Sequence, residues 1–169
     1  PNARAPEAEL RQNRGSQPRL WAHGISGDWP IALATIGSVE GIPTLRQILA
    51  AHRYWRRRGM TVDLVILNVH PTTYQADLDA EIAAAVHGLN EAALLDRPGG
   101  VFLRRRDLMT SADLLMVRAT ARLLIACDGR SLGRIIQDQK RPSGGDTDDS
   151  ALMPSRPRRD ERSSLPLRD

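Results

Sequence analysis

The sequence predicts an α/β fold, a small three-layer domain with about three parallel strands, flanking helices and a disordered C-terminal tail. Apolar runs at 31–36 and 62–67 are short, continuous and bounded by turn residues, the pattern of strands buried on both faces. Between them apolar residues recur at helical spacing, and a helix joining two strands implies a parallel pair with a right-handed crossover. The 169 residues are 41% hydrophobic but only 4% aromatic. A core of Leu, Ile, Val and Ala suits helices on a small sheet better than a β-sandwich.

Residues 1–18 are polar and rich in Pro and Arg, with at most a short helix around 5–13, and read as a linker from a preceding domain. The folded domain is expected over 19–139. Its first strand is Ile31-Ala32-Leu33-Ala34-Thr35-Ile36, between Pro30 and Gly37. Pro43 suits the first turn of a helix, along which Leu45, Ile48, Leu49, His52 and Trp55 recur until Gly59 stops it. Arg56, Arg57 and Arg58 close that helix, where positive charge opposes the negative end of its dipole. The second strand, 62–67, precedes a helix over about 73–95 with Leu78, Ile82, Ala85, Val86 and Leu89 on one stripe and Gly88 as a break point. The turn Arg97-Pro98-Gly99-Gly100 leads to a third strand at 101–103. Thr110 and Asp113 have capping-box spacing, and the helix they open is expected to run to about Cys127, burying Leu114, Val117, Ala121, Leu124 and Ile125. A short last helix covers 131–139. From Lys140 to Asp169 the chain turns to Pro, Ser, Gly, Asp and Arg, a composition too poor in apolar groups to offset the entropy of ordering.

The net charge of +4 comes from arginine, since Lys140 is the one lysine. These arginines are spread along helices and tails without interleaved stacking groups, which argues against nucleic-acid binding. The single cysteine excludes an internal disulfide and any multi-cysteine metal site. No apolar run approaches the roughly 20 residues that span a bilayer, and no secretory leader pattern is present. The expectation is a cytoplasmic chain without direct membrane insertion.

The most unusual segment is 21–30, with two tryptophans, a histidine, two glycines and an aspartate just before the first strand. Trp21 or Trp29 could stack on a glucose ring while His23 and Asp28 bond its hydroxyls. The competing reading is a tight structural loop, with Asp28 bonded to nearby amides and both tryptophans covering the core edge. Sequence proximity of His23, Ser26 and Asp28 does not make a catalytic triad, and Gly24-Ile25-Ser26-Gly27 lacks the Lys-Ser/Thr ending of a phosphate-binding loop. His70 follows the second strand at its carboxyl end, where ligands bind in open parallel sheets. His52 lies on an apolar helix face and reads as a packing residue, as does Cys127. His87 suits a helix end, and Arg104-Arg105-Arg106 reads as a solvated charge run. The substrate-binding candidates are therefore Trp21, His23, Asp28 and His70. No catalytic residue, metal ligand or cofactor site is assigned.

Leu20-Trp21-Ala22-His23-Gly24-Ile25-Ser26-Gly27-Asp28-Trp29-Pro30-Ile31 resembles a segment of cyclic β-1,2-glucan synthases. Their phosphorylase-like part belongs with glycosyltransferase family 36, now glycoside hydrolase family 94. Ala51-His52-Arg53-Tyr54-Trp55, Val62-Asp63-Leu64-Val65-Ile66-Leu67-Asn68 and Asp96-Arg97-Pro98-Gly99-Gly100-Val101-Phe102 resemble later landmarks in the same order, so the likeness covers about 8–139. It implies an α/β connector between a sugar-binding β-sandwich and the helical barrel that carries the phosphorylase-like site. The sandwich and barrel domains, and β-1,2-glucan itself, are the implied partners. The family's full enzymes also carry a membrane-associated part using UDP-glucose, which associates the parent enzyme with the bacterial inner membrane. None of the family's catalytic motifs occurs here, and 140–169 does not match the family's continuation, so a truncated gene, a frame-disrupted end and a split subunit stay open. The leading expectation is a noncatalytic accessory fragment. The alternatives are a free-standing sugar-binding module using Trp21, His23 and Asp28, and a small α/β enzyme with its site near Asn68 and His70.

Overall fold

A computed structural model describes residues 3–71, 75–89 and 92–140, and the tail expectation for 141–169 lies outside the described residues. The elements run α1 (Glu7–Gln12), α2 (Pro18–Trp21), β1 (Ile31–Ile36), α3 (Ile42–Arg57), β2 (Asp63–Asn68), α4 (Gln75–Gly88), β3 (Val101–Arg105), α5 (Ser111–Thr120), β4 (Leu123–Cys127) and α6 (Leu132–Lys140). All strand pairings are parallel, in the order β3-β2-β1-β4. The α/β class holds, with four strands in the sheet. The fourth strand lies inside the helix expected to reach Cys127.

That helix stops at Thr120 because Ala121 leaves helical angles, with ψ at 132°. Leu123-Leu124-Ile125-Ala126-Cys127 then pairs with β1 from Ala32 to Ile36. The capping box at its start is as expected, Thr110 Oγ1 accepting from the Asp113 amide at 3.2 Å and Asp113 accepting from the Thr110 amide at 3.2 Å. The helix predicted over 73–95 ends at Gly88, and a 3₁₀ turn at Ala92–Leu94 follows. A short helix, α2, occupies part of the stretch read as turns.

Side-chain alternation sorts the strands onto two cores. Ala32, Ala34, Ile36, Leu64, Ile66, Val101, Ile125 and Cys127 face one way, against Leu45, Ile48 and Leu49 of α3, Leu78, Ile82 and Val86 of α4, and Ile135 of α6. Ile31, Leu33, Val65, Leu67 and Phe102 face the other way, against Leu20, Ile25, Met116 and Val117. Each of these large side chains contributes about 1.5–3 kcal/mol when fully buried. The helices fall on both faces because two right-handed crossovers carry the chain outward from β1 to β3, and a third carries it back past β1 to β4.

The segment 3–18 packs on this domain. The Leu124 amide donates to the Ala3 carbonyl at 2.7 Å, Ala5 is buried, and Arg118 on α5 holds the Glu9 carboxylate with two bonds of 2.8 and 2.9 Å. Gln139 donates to the Leu124 carbonyl at 2.9 Å, so the outer edge of β4 is covered from both termini of the described domain.

The chain's direction reverses between β1 and β4, the position where open parallel sheets usually bind ligands. Here the two loops touch. A Cβ on Gly41 would stand 2.4 Å from the Cys127 carbonyl oxygen, and one on Gly129, where φ is 87°, would stand 3.0 Å from the Glu40 carbonyl. Gly41→Ala is therefore expected to lower stability by about 1–3 kcal/mol, measured by denaturant unfolding, because its contact is with backbone that has nowhere to move. An unchanged midpoint would show that the two loops separate freely.

Candidate functional site

The loop before β1 is anchored from beneath. Leu20 and Ile25 are almost fully buried, and the Ile25 amide donates to the Leu20 carbonyl at 3.0 Å. Gly24 and Gly27 take φ of 71° and 75°, and a Cβ on Gly27 would press within 2.9 Å of Leu20 Cδ1, so both glycines are needed for this path. Above the anchor, Trp21 and Trp29 keep 58% and 45% of their surface exposed.

Trp21 and Asp28 belong to one cluster. Trp21 Nε1 donates to the Ser26 carbonyl at 3.1 Å, and the Asp28 amide donates to Ser26 Oγ at 3.2 Å. Gln17 Nε2 joins them, donating to the Ser26 carbonyl at 2.7 Å and to Asp28 Oδ1 at 3.2 Å. Gln17 falls in the stretch read as a linker, and no sequence signal marks it. His23 is not part of this cluster. Its Nε2 lies 3.5 Å from Asp113 Oδ2, a close approach that lacks hydrogen-bond geometry, and its carbonyl accepts from the Arg104 guanidinium. Asp113 also bonds Arg19, and the Thr110 hydroxyl above all holds its carboxyl down at about 2.

His70 sits apart, after β2 at the carboxyl edge of the sheet. Its amide donates to Asn68 Oδ1 at 2.9 Å, Nδ1–H donates to the Pro71 carbonyl at 2.6 Å, and Asn68 Nδ2 donates to Asp79 at 2.7 Å. With Glu40 and Asp77 it lines a hollow of about 240 Å³. No hydrogen bond links these three side chains among the described residues, so no base is oriented toward a nucleophile. Glu40 lies just ahead of α3, where a parallel sheet would cradle a phosphate. The Ser38 side chain and its own amide hold the Glu40 carboxyl below the usual carboxylate range, so a negative charge already stands there.

The remaining sequence candidates are occupied structurally. The Cys127 thiol is buried and pushed up to about 12, chiefly by that burial, which leaves it protonated and inert. Arg104 bridges the His23 carbonyl and Asp96 and lies over the Phe102 ring, while Arg105 pairs with Asp107. Of the arginine run, Arg104 is tied into the fold, while the Arg105 side chain stays 40% exposed. Among the described residues no three His, Cys, Asp or Glu side chains are grouped to hold a metal ion. Nor is any described helix long and apolar enough to cross a membrane.

One buried acid escaped the sequence reading. Asp63, the first residue of β2, is fully buried, and its Oδ1 accepts from the Gly99 amide at 2.6 Å while Oδ2 has no hydrogen-bond partner among the described residues. Burial raises its carboxyl above the usual range and Asp28 adds to this, while the Gly99 bond and nearby His52 pull it down. His52 is buried on α3 and donates from Nε2 to the Val62 carbonyl at 2.8 Å, which bears out its reading as a packing residue.

No family model matches the sequence. The cyclic beta-(1,2)-glucan synthase NdvB of Rhizobium meliloti (strain 1021) is 36% identical to this chain over 107 residues, 63% of the chain and 4% of the synthase. The chain is related to that enzyme and matches a small part of its length.

Asp63 and Asp113 have opposite effects on pH dependence. A raised carboxyl contributes stability that is present below its unfolded value and lost as pH climbs through the folded one, and a lowered carboxyl does the reverse. Asp63→Asn keeps the Gly99 bond and removes the buried charge, so its melting temperature should gain on wild type as pH rises from about 4 to about 8. Asp63→Ala should lose about 1–3 kcal/mol through the orphaned Gly99 amide. An Asn variant that melts lower at every pH would contradict this account. Asp113→Asn should flatten the loss of stability that wild type shows as pH falls from about 4 toward 2.

Proposed function

We propose that this chain is a noncatalytic α/β connector of a cyclic β-1,2-glucan synthase or related glycoside phosphorylase, the region expected between sugar-binding sandwich and catalytic barrel. The observation that carries the proposal is the 36% identity over 107 residues to a segment amounting to 4% of a glucan synthase, as befits one module of a large enzyme. The chemistry of the strand ends agrees with it. The reversal point between β1 and β4 is filled by Gly41 and Gly129 backbone, and Glu40 sets a carboxylate where an anionic substrate would approach α3. The partners are then the sandwich and barrel domains, and the parent's glucosyl transfer and glucan processing are carried out elsewhere.

Purified chain incubated with linear β-1,2-glucan, with and without inorganic phosphate, is expected to release neither reducing sugar nor glucose 1-phosphate. The same chain should bind, and melt higher with, separately produced sandwich and barrel segments encoded by flanking DNA. Turnover by the isolated chain would overturn the proposal. So would flanking DNA that encodes neither segment.

A further inference from the structure

We propose that Trp21, Gln17 and Asp28 form a surface platform that binds a β-linked glucan, an inference that rests on the glucan-synthase reading above. Trp21 is the starting point. A tryptophan usually buries most of its large apolar surface, yet this one leaves 58% exposed. It is also fixed in place, because its Nε1 is bonded to the Ser26 carbonyl and its neighbour Leu20 is locked in the core. The exposed indole is thus held in a defined position before any ligand arrives, which lowers the ordering cost of binding.

The groups beside it match a sugar. A β-glucopyranose ring carries its hydroxyls equatorially, so both faces present C–H groups that stack on an indole while the rim hydroxyls point sideways to hydrogen-bonding partners. Both N–H groups of Gln17 are taken up by Ser26 and Asp28, which leaves its Oε1 and the second Asp28 carboxylate oxygen as acceptors for sugar hydroxyls. Asp28 disfavours an anionic ligand, which selects a neutral glycan over a phosphorylated one. Trp29 follows Asp28 directly and is 45% exposed, a second aromatic surface for a chain of several sugar units. His23 is not bonded to this cluster: its carbonyl accepts from Arg104 and its Nε2 lies near Asp113.

The test is titration of the full chain with linear β-1,2-glucan, using maltooligosaccharide of equal length as the control. Tryptophan fluorescence and the indole N–H resonance of Trp21 are the readouts. Saturable perturbation with a dissociation constant of about 1 mM is expected, with Trp21→Ala weakening it at least about tenfold and Asp28→Ala several-fold. Trp21→Phe, which keeps an aromatic face, should retain part of the affinity. The exposed position makes all three variants fold as wild type, which a melting curve checks. No saturable change with cooperatively folded protein, or equal affinity in Trp21→Ala, would overturn the platform. Perturbation of Trp21 by an added sandwich or barrel segment, without any response to sugar, would also overturn it and assign the surface to domain packing. That last outcome leaves the connector reading standing, whereas its own failure is read from turnover and from the flanking DNA.

Discussion

Ile31 and Leu33 point to one side of β1 while Ala32, Ala34 and Ile36 point to the other, and all five are buried. A central strand without a solvent face requires cover on both sides of the sheet, which a chain of right-handed crossovers provides only by reversing direction. That reversal brings the loops after β1 and β4 together. In this protein they meet as packed backbone, Gly41 against Cys127 and Gly129 against Glu40, so the fold that usually opens a ligand crevice here closes it.

The loop that precedes β1 is held from several sides. Leu20 and Ile25 fasten it to the core, Gly24 and Gly27 turn it, and Arg104 grips the His23 carbonyl from β3. The outcome is an anchored loop carrying two partly exposed tryptophans. At the amino edge, Asp63 spends a buried carboxyl on fastening the Gly99 turn, a local cost set against the register of β2 and β3.

Much of the fold is legible from spacing. The apolar stripes of α3 and α4 and the continuous runs of β1 and β2 come from periodicity alone, and the Thr110–Asp113 box announces α5. The fourth strand is not legible. Leu114, Val117, Ala121 and Leu124 sit three or four apart and continue a helical pattern across a two-residue connection that contains neither glycine nor proline. A five-residue apolar run has the same appearance in a helix as in a strand, and only pairing with β1 decides between them.

The site divides in the same way. The sequence by itself determined the α/β class and the relation to glucan synthases, because these depend on residue types and local order. Tertiary structure alone decided that His23 stands beside Asp113, that Gln17 joins Trp21 and Asp28 around Ser26, and that the loops after β1 and β4 meet as packed backbone. Such facts are set by contacts between residues distant in the chain, and local composition carries no record of which of them meet.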